Sequence, residues 1–192
     1  MSKFLTNYKS MQDLNTDFDL IKSFINGDES AFNRLAAKYQ EKIYWHARRM
    51  TGNHLDADEI LQEVLIVLYN KLKTFEFKSS VYTWIYTITN TRSINFLKRK
   101  KLKSFLSLSE IKSFPDDSKN ILASIEQRQK LELIENALQK LPVKQREVFI
   151  MRNYDEMTYE EISKITGKTT GALKANYFHA LNKLKELVKK ND

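Results

Sequence analysis

Asp58, Glu59, Gln62 and Glu63 recur at spacings of four (58/62 and 59/63), which places them on one face of a helix. Asp56 precedes them, and no basic residue interrupts 56–63. Three chemistries suit such a patch. With His54 nearby, Asp56, Asp58 and Glu59 could ligate a divalent cation and make the chain a metal-dependent nuclease, although helical spacing alone does not converge three ligands. Acids in a first turn also complement the helix dipole, which accounts for Asp56, Asp58 and Glu59 but less well for Gln62 and Glu63. A docking surface for a basic protein partner fits the whole patch.

A second constellation follows. Arg92, Lys98, Arg99, Lys100, Lys101 and Lys103 are basic, with no acid from 92 to 103. Ahead of them stand Phe75 and Phe77, then Tyr82, Trp84 and Tyr86. Tyr82, Tyr86 and Asn90 recur every four residues, on a face distinct from Ile85 and Ile88. Aromatic rings leading into a basic tract suit single-stranded DNA, which needs a stacking platform and phosphate neutralisation. The plainer alternative makes Trp84 and Phe75 core residues.

The third is a helix-turn-helix over Thr158–Leu173. Thr158 with Glu161 fits a capping box, Ile162 and Ile165 face inward, Gly167 supplies the turn and Thr169 caps the next helix. At about 100° per residue, Leu173, Tyr177, Ala180, Leu181, Leu184 and Val188 form one stripe. Gly171, Lys174, Ala175, Phe178, Asn182 and Lys185 fall opposite, with His179 at the edge. Small residues, an outward phenylalanine and two lysines suit close approach to a major groove better than a solvated face. Lys168 to Lys190 holds six lysines and one glutamate, which puts positive charge beside that face.

The elements that position these residues are helices. Among 192 residues there are four glycines and two prolines, too few for a β-rich chain, and the class is all-α. With 42% apolar residues the chain can bury a core. The absence of cysteine excludes disulfides, a thiol nucleophile and thiolate-bound zinc. The longest apolar run, Val64–Tyr69, has six residues where a bilayer span needs about 20, and no signal peptide is visible, so a cytoplasmic protein without membrane insertion is expected. Net charge of +8 suits a polyanionic partner.

Residues 1–16 read as a loose tail and 17–103 as a first helical domain with helices starting near Phe18, Asp28, Asp56 and Val81. Ile60, Ile66 and Val67, added to the stripe Leu61, Val64, Leu65, Leu68 and Leu72, suggest neighbours on both sides of the third helix. Residues 104–125 form a serine-rich, flexible linker containing Pro115-Asp116-Asp117, and 126–192 a second domain in which Leu141-Pro142 opens a helix.

In this order the two domains resemble the bacterial RNA polymerase sigma-70 family, specifically its two-domain extracytoplasmic-function group. The resemblance covers about residues 18–103 and 126–190 and rests on Asp56-Ala57-Asp58-Glu59-Ile60-Leu61-Gln62-Glu63-Val64, Thr83-Trp84-Ile85-Tyr86, Leu141-Pro142 through Arg146-Glu147-Val148-Phe149, Tyr159-Glu160-Glu161-Ile162 and Gly171-Ala172-Leu173-Lys174. It implies a sigma2-like helical bundle and a sigma4-like helix-turn-helix, with no catalytic activity and no cofactor. The implied partners are core RNA polymerase (its β′ clamp helices and β flap), promoter DNA both duplex and single-stranded, and an anti-sigma factor. Docking on the clamp helices would fall to Asp58, Glu59, Gln62 and Glu63. Melting of the minus-ten element would fall to Phe75, Ser79, Ser80, Trp84, Tyr86, Thr91 and Asn95. Reading of the minus-35 element would fall to Thr169, Thr170, Lys174, Ala175, Phe178 and His179, and Asp116 and Asp117 would occupy the RNA exit path. Phe75-Glu76-Phe77-Lys78 departs from the family's arginine-glycine-acid loop, and Ala175-Asn176-Tyr177 with His179 departs from its usual recognition helix, which implies different promoter bases. The alternative is a helix-turn-helix regulator acting without polymerase docking.

Overall fold

A computed structural model describes residues 17–106 and 133–189. The expected tail, most of the expected linker with Asp116 and Asp117, and residues 126–132 lie outside the described residues.

Among the described residues every regular element is helical. Helix α1 covers 17–25 and turns at Gly27, whose φ of 101° suits a residue without a side chain. Asp28 then caps α2 (Glu29–Thr51), accepting from the Ser30 amide at 3.0 Å. Gly52, left-handed at φ 75°, closes α2, and Asn53 caps α3 (His54–Lys71) by accepting from the Asp56 amide at 3.0 Å.

On α3 the buried side chains are Ala57, Ile60, Val64 and Leu68, one inward stripe. The expectation of neighbours on both sides is corrected here, because Ile66 is 61% exposed and Leu61 and Leu65 are only half-buried. A 3-10 turn at Leu72–Thr74 and a loop over 75–80 lead into α4 (Val81–Leu106). That helix runs past residue 104, where the linker was expected to begin. Helices α1 to α4 close on one apolar core that includes Ile21, Leu35, Ile43, Ile60, Val64, Val81 and Ile85.

Helix α5 covers 133–139, and Pro142 occupies the cap of α6 (Val143–Asn153), where a missing N–H costs nothing. Helices α7 (Tyr159–Thr166) and α8 (Thr170–Lys189) complete the second module. One apolar cluster joins Leu138, Leu141, Ala180 and Leu184, and another joins Val148, Met151, Ile162 and Leu173. The second cluster also takes in Tyr86 of α4, because α7 lies against α4 and α6 against α2. No helix of the described residues is long and apolar enough to cross a membrane.

Candidate nucleic-acid interface

The helix-turn-helix is fixed by local chemistry. The Thr158 hydroxyl accepts from the Glu161 amide at 3.2 Å while the Glu161 carboxylate accepts from the Thr158 amide at 2.7 Å, a reciprocal capping box. Gly167, at φ 69°, ends α7, and the Ser163 hydroxyl donates to the Lys168 carbonyl at 2.6 Å across the turn. Thr169 accepts from the Ala172 amide at 3.3 Å and so starts α8. Leu173, Ala180 and Leu184 then bury one side of α8.

The opposite side is open. Thr169, Gly171, Lys174, Ala175, Phe178 and His179 are exposed, and Thr170 is half-buried. Phe178 leaves 61% of its surface to solvent, with its ring 6.0 Å from that of His179. The Lys174 ammonium sits 5.7 Å from the Tyr159 ring. Every expected residue of this surface therefore lies on one solvent-facing patch except Thr170 at its margin.

The residues expected to hold a single strand are divided. Ser79, Thr91 and Asn95 are exposed, Ser80 and Trp84 are half-buried, and Phe75 and Tyr86 are buried. Phe75 belongs to the first core, with its ring 5.0 Å from Trp84, so the plainer reading holds for Phe75 and in part for Trp84. Ser80 caps α4, accepting from the Thr83 amide at 3.1 Å. Phe77 is exposed and left-handed at φ 56°, a conformation that L side chains adopt at a cost, and it marks this loop as constrained.

The acidic face of α3 meets the basic tract of α4. Lys100 donates to Asp56 at 2.5 Å, Arg99 to Glu63 at 2.8 Å, and Arg92 and Arg99 stand 3.7 Å from Glu63 and Glu59. Asp58, Glu59 and Gln62 remain exposed, whereas Glu63 is half-buried. His54 pairs with the Tyr44 hydroxyl through Nδ1, and burial and Arg48 depress its pKa below the ordinary value. Among the described residues no group of three His, Asp or Glu side chains is placed to hold a metal ion.

Sequence reasoning singled out Tyr82, Tyr86 and Asn90 but missed their polar contacts between the modules, and with them His46 and Asp155. His46, buried on α2, donates from Nδ1 to the Asp155 carboxylate at 2.7 Å. Tyr86 donates to the same carboxylate at 3.4 Å and Tyr82 to the Asp155 backbone carbonyl at 3.3 Å. Asn90 donates to Glu147 at 2.7 Å, and Lys168 completes that carboxylate's pairing. Burial, aided by the Asp155 charge, pushes the Tyr86 phenol well above its ordinary value, and burial does the same to Tyr82.

Arg146 reaches across this contact once, to Met50, and otherwise ties together the start of the second module. It donates to the carbonyls of Met50 at 2.5 Å, Gln139 at 2.7 Å and Leu141 at 3.1 Å, and to the Gln139 side chain at 2.6 Å. Burial lowers its guanidinium to about 10, so it remains cationic at neutral pH. Arg49 lies 4.2 Å over the Tyr154 ring. One sequence signal was available: His46 shares the inward stripe of Ile43, Ala47 and Met50, where a polar side chain needs a partner.

Two family models match the chain. The model described as Sigma-70 region 2 matches residues 35–103, and the one described as Sigma-70, region 4 matches residues 131–184, together well over half of the sequence. The chain is 28% identical over 190 residues to the ECF RNA polymerase sigma-E factor of Escherichia coli (strain K12), covering 91% of this chain and 97% of that protein. It is 29% identical over 168 residues to the ECF RNA polymerase sigma factor SigW of Bacillus subtilis (strain 168), covering 80% and 87%. Among solved structures, the fold is similar to the sigma factor RpoE in complex with the anti-sigma factor NepR from Bartonella quintana, with a TM-score of 0.70 and 23% identity over 82% of this chain and 96% of that one. It is also similar to CnrH in complex with the cytosolic domain of CnrY, with a TM-score of 0.69 and 19% identity over 92% and 99%.

Proposed function

This chain belongs to the sigma-70 family, in its extracytoplasmic-function group, and on that premise we propose how its surfaces divide the work of promoter-specific initiation with core RNA polymerase. The exposed part of α3, Asp58, Glu59 and Gln62 with Glu63 at its edge, docks on a basic surface of the polymerase, the β′ clamp helices. The second module docks on the β flap. Helix α8 enters the major groove of the minus-35 element, with Lys174 and His179 toward phosphate or base edges and Phe178 toward thymine methyl groups or sugar.

Ser79, Ser80, Trp84, Tyr86, Thr91 and Asn95, with the loop that Phe75 anchors, hold the unwound minus-ten strand. Melting is driven by binding: unstacking and unpairing a base costs a few kcal/mol, and stacking on protein rings returns about 1–3 kcal/mol per base. The basic tract from Arg92 to Lys103 neutralises phosphates alongside. The chain itself carries no catalytic activity, acts in the cytoplasm, and is a target for an anti-sigma factor.

The observation that carries this reading is the pairing of two separate surfaces on one chain, the exposed reading face of α8 and the exposed acidic face of α3. The test is transcription by purified core polymerase on a genomic fragment library, with and without the full chain. New, discrete start sites that require the chain are expected. Duplex binding by the chain alone, with no core binding and no new transcripts, would overturn it in favour of a regulator that acts without polymerase.

A further inference from the structure

Tyr159 holds a cation of the recognition helix without neutralising it. The Lys174 ammonium sits 5.7 Å from the centre of its ring, and the Arg152 guanidinium lies 5.1 Å from the same point. Two other lysines of this module pair with carboxylates, Lys168 with Glu147 and Lys183 with Glu186. Among the described residues no carboxylate stands at salt-bridge distance from Lys174. A carboxylate would cancel the ammonium's charge, whereas a ring orients it and leaves the charge whole for an outside anion.

The ring itself is fixed. Tyr159 is the first residue of α7, half-buried and set directly after the Thr158 cap. Tyr177 meets it edge-on at 6.2 Å, Phe149 stacks on Tyr177 at 6.0 Å, and the Tyr177 hydroxyl donates to Asn153 at 3.1 Å. Arg152 is anchored by donating to the Met157 carbonyl, and the Glu161 carboxylate is turned back onto Thr158. At about 100° per residue, Gly171, Ala175, Phe178 and Asn182 centre the open face of α8, with His179 at one margin and Lys174 at the other, on the side of Tyr177. Helical side chains lean toward the amino end of their helix, so Lys174 reaches back to α7 and not out over the centre of the face.

We propose that Tyr159 is a positioning residue for duplex recognition: it holds Lys174, with Arg152 beside it, as a seat for one backbone phosphate at the edge of the reading face. The inference rests on the reading of α8 as the helix that enters the duplex. A lysine side chain loses rotamer freedom when it is pinned on binding, and a ring that pins it beforehand removes part of that cost. Lys174 then supplies affinity and register but no sequence information, and base discrimination is left to Ala175, Phe178 and His179.

The test uses the full chain and two fluorescent duplexes read by anisotropy, one of random sequence and one carrying the upstream element of a start site found in the transcription assay. Lys174→Ala should weaken binding to both by the same factor. It should also lower the slope of log affinity against log salt by about one, as the loss of one phosphate contact requires. Tyr159→Leu should weaken both by about two- to fivefold, while Tyr159→Phe, which keeps the ring, binds as the unsubstituted chain does. In a Lys174→Ala background Tyr159→Leu should lose most of its effect, which a merely structural role would not do.

An equal penalty for Tyr159→Leu with and without Lys174 overturns the proposal, as does a salt slope that Lys174→Ala does not move. Loss of discrimination at a single base pair in Lys174→Ala overturns it too, because Lys174 would then be a base reader. Should Tyr159→Leu fail to fold, ring-fluorinated phenylalanine at position 159 keeps the packing and weakens the negative face of the ring. Affinity should then fall stepwise with the number of fluorines, and a flat series overturns the proposal. A chain that binds neither duplex removes the reading of α8 and the seat with it. Intact binding without coupling between Tyr159 and Lys174 leaves α8 as the reading helix and removes the seat alone.

Discussion

His46 Nδ1 lies 2.7 Å from the Asp155 carboxylate although 109 residues separate them, and both side chains are withdrawn from solvent. A buried carboxylate held this way orients what surrounds it. The ring of Tyr86 stands edge-on to His46, with centroids 5.6 Å apart, and its hydroxyl reaches the same carboxylate at 3.4 Å. One side chain of the second module thus organises two residues on different helices of the first.

Alkaline pH should open this contact. The phenols of Tyr86 and Tyr82 have pKa values raised above the ordinary 10.0, first by burial and then, for Tyr86, by the neighbouring Asp155 charge. A folded-state value raised above the open-state one means that the closed form is favoured fully below about pH 10 and loses that advantage as pH rises beyond it. Asp155, Glu156 and Glu161 all oppose ionisation there. Module separation measured by energy transfer should therefore increase above about pH 10, and Tyr86→Phe should flatten that rise. An identical alkaline limb in Tyr86→Phe would assign the opening to other groups.

Gly52 is constrained twice. Its φ of 75° disfavours any side chain, and a Cβ there would meet the Gln139 side chain at 2.5 Å. Gln139 is the residue that donates to the Arg49 carbonyl at 2.9 Å and accepts from Arg146 at 2.6 Å. Gly52→Ala should cost about 2 kcal/mol, part from the left-handed backbone and part from displaced hydrogen bonds. Chemical denaturation checks this, and a loss of only a few tenths would mean that Gln139 repositions freely.

The docking surface is best tested at Asp58. Charge reversal at Glu59 and Glu63 together should abolish polymerase binding, but it also sets lysines against Arg99 and Arg92, so any loss would mix docking with local stability. Asp58 is exposed on the same face. Asp58→Lys is expected to weaken core polymerase binding by about tenfold, the scale of one well-placed charge pair, while leaving the melting temperature within the range of ordinary surface changes. Unchanged affinity in a binding titration would remove Asp58 from the interface.

Phe178→Ala should leave stability intact, because the ring is exposed and lies outside the apolar clusters of the second module. Its effect should be confined to the upstream duplex element, a loss of about 1–3 kcal/mol in discrimination. Equal weakening on random duplex would reduce Phe178 to a general contact.

What the sequence revealed is what local rules govern. Thr158 and Glu161 are three residues apart, Gly167 ends α7 as its position suggests, and the stripe from Leu173 to Leu184 turns inward. Each depends on a repeat or a cap within a few residues. The contacts of His46 with Asp155 and of Asn90 with Glu147 bridge 109 and 57 residues, and periodicity says only that a side chain faces inward, never what it meets. The four-residue spacing separates Tyr86 from Ile85, and the two do fall in different clusters, but Tyr82 packs against both clusters and nothing in the spacing announces that the second module lies over this face. The acidic patch likewise gave no sign that Arg99 and Lys100 reach back to it, since that pairing follows from how α3 and α4 pack.

The one-sided cover over α4 bears on where this protein spends its time in a cell. Rings that stack on any base do not separate a promoter from messenger or ribosomal RNA, which is abundant and single-stranded in part. If α4 holds single strands as proposed, transcripts would compete for it wherever it stood open, whereas Tyr86 lies buried with the second module and the outer face of α8 is exposed. On the proposed roles of α8 and α4, duplex is the form this chain is ready to meet first, because α8 is the face it leaves bare.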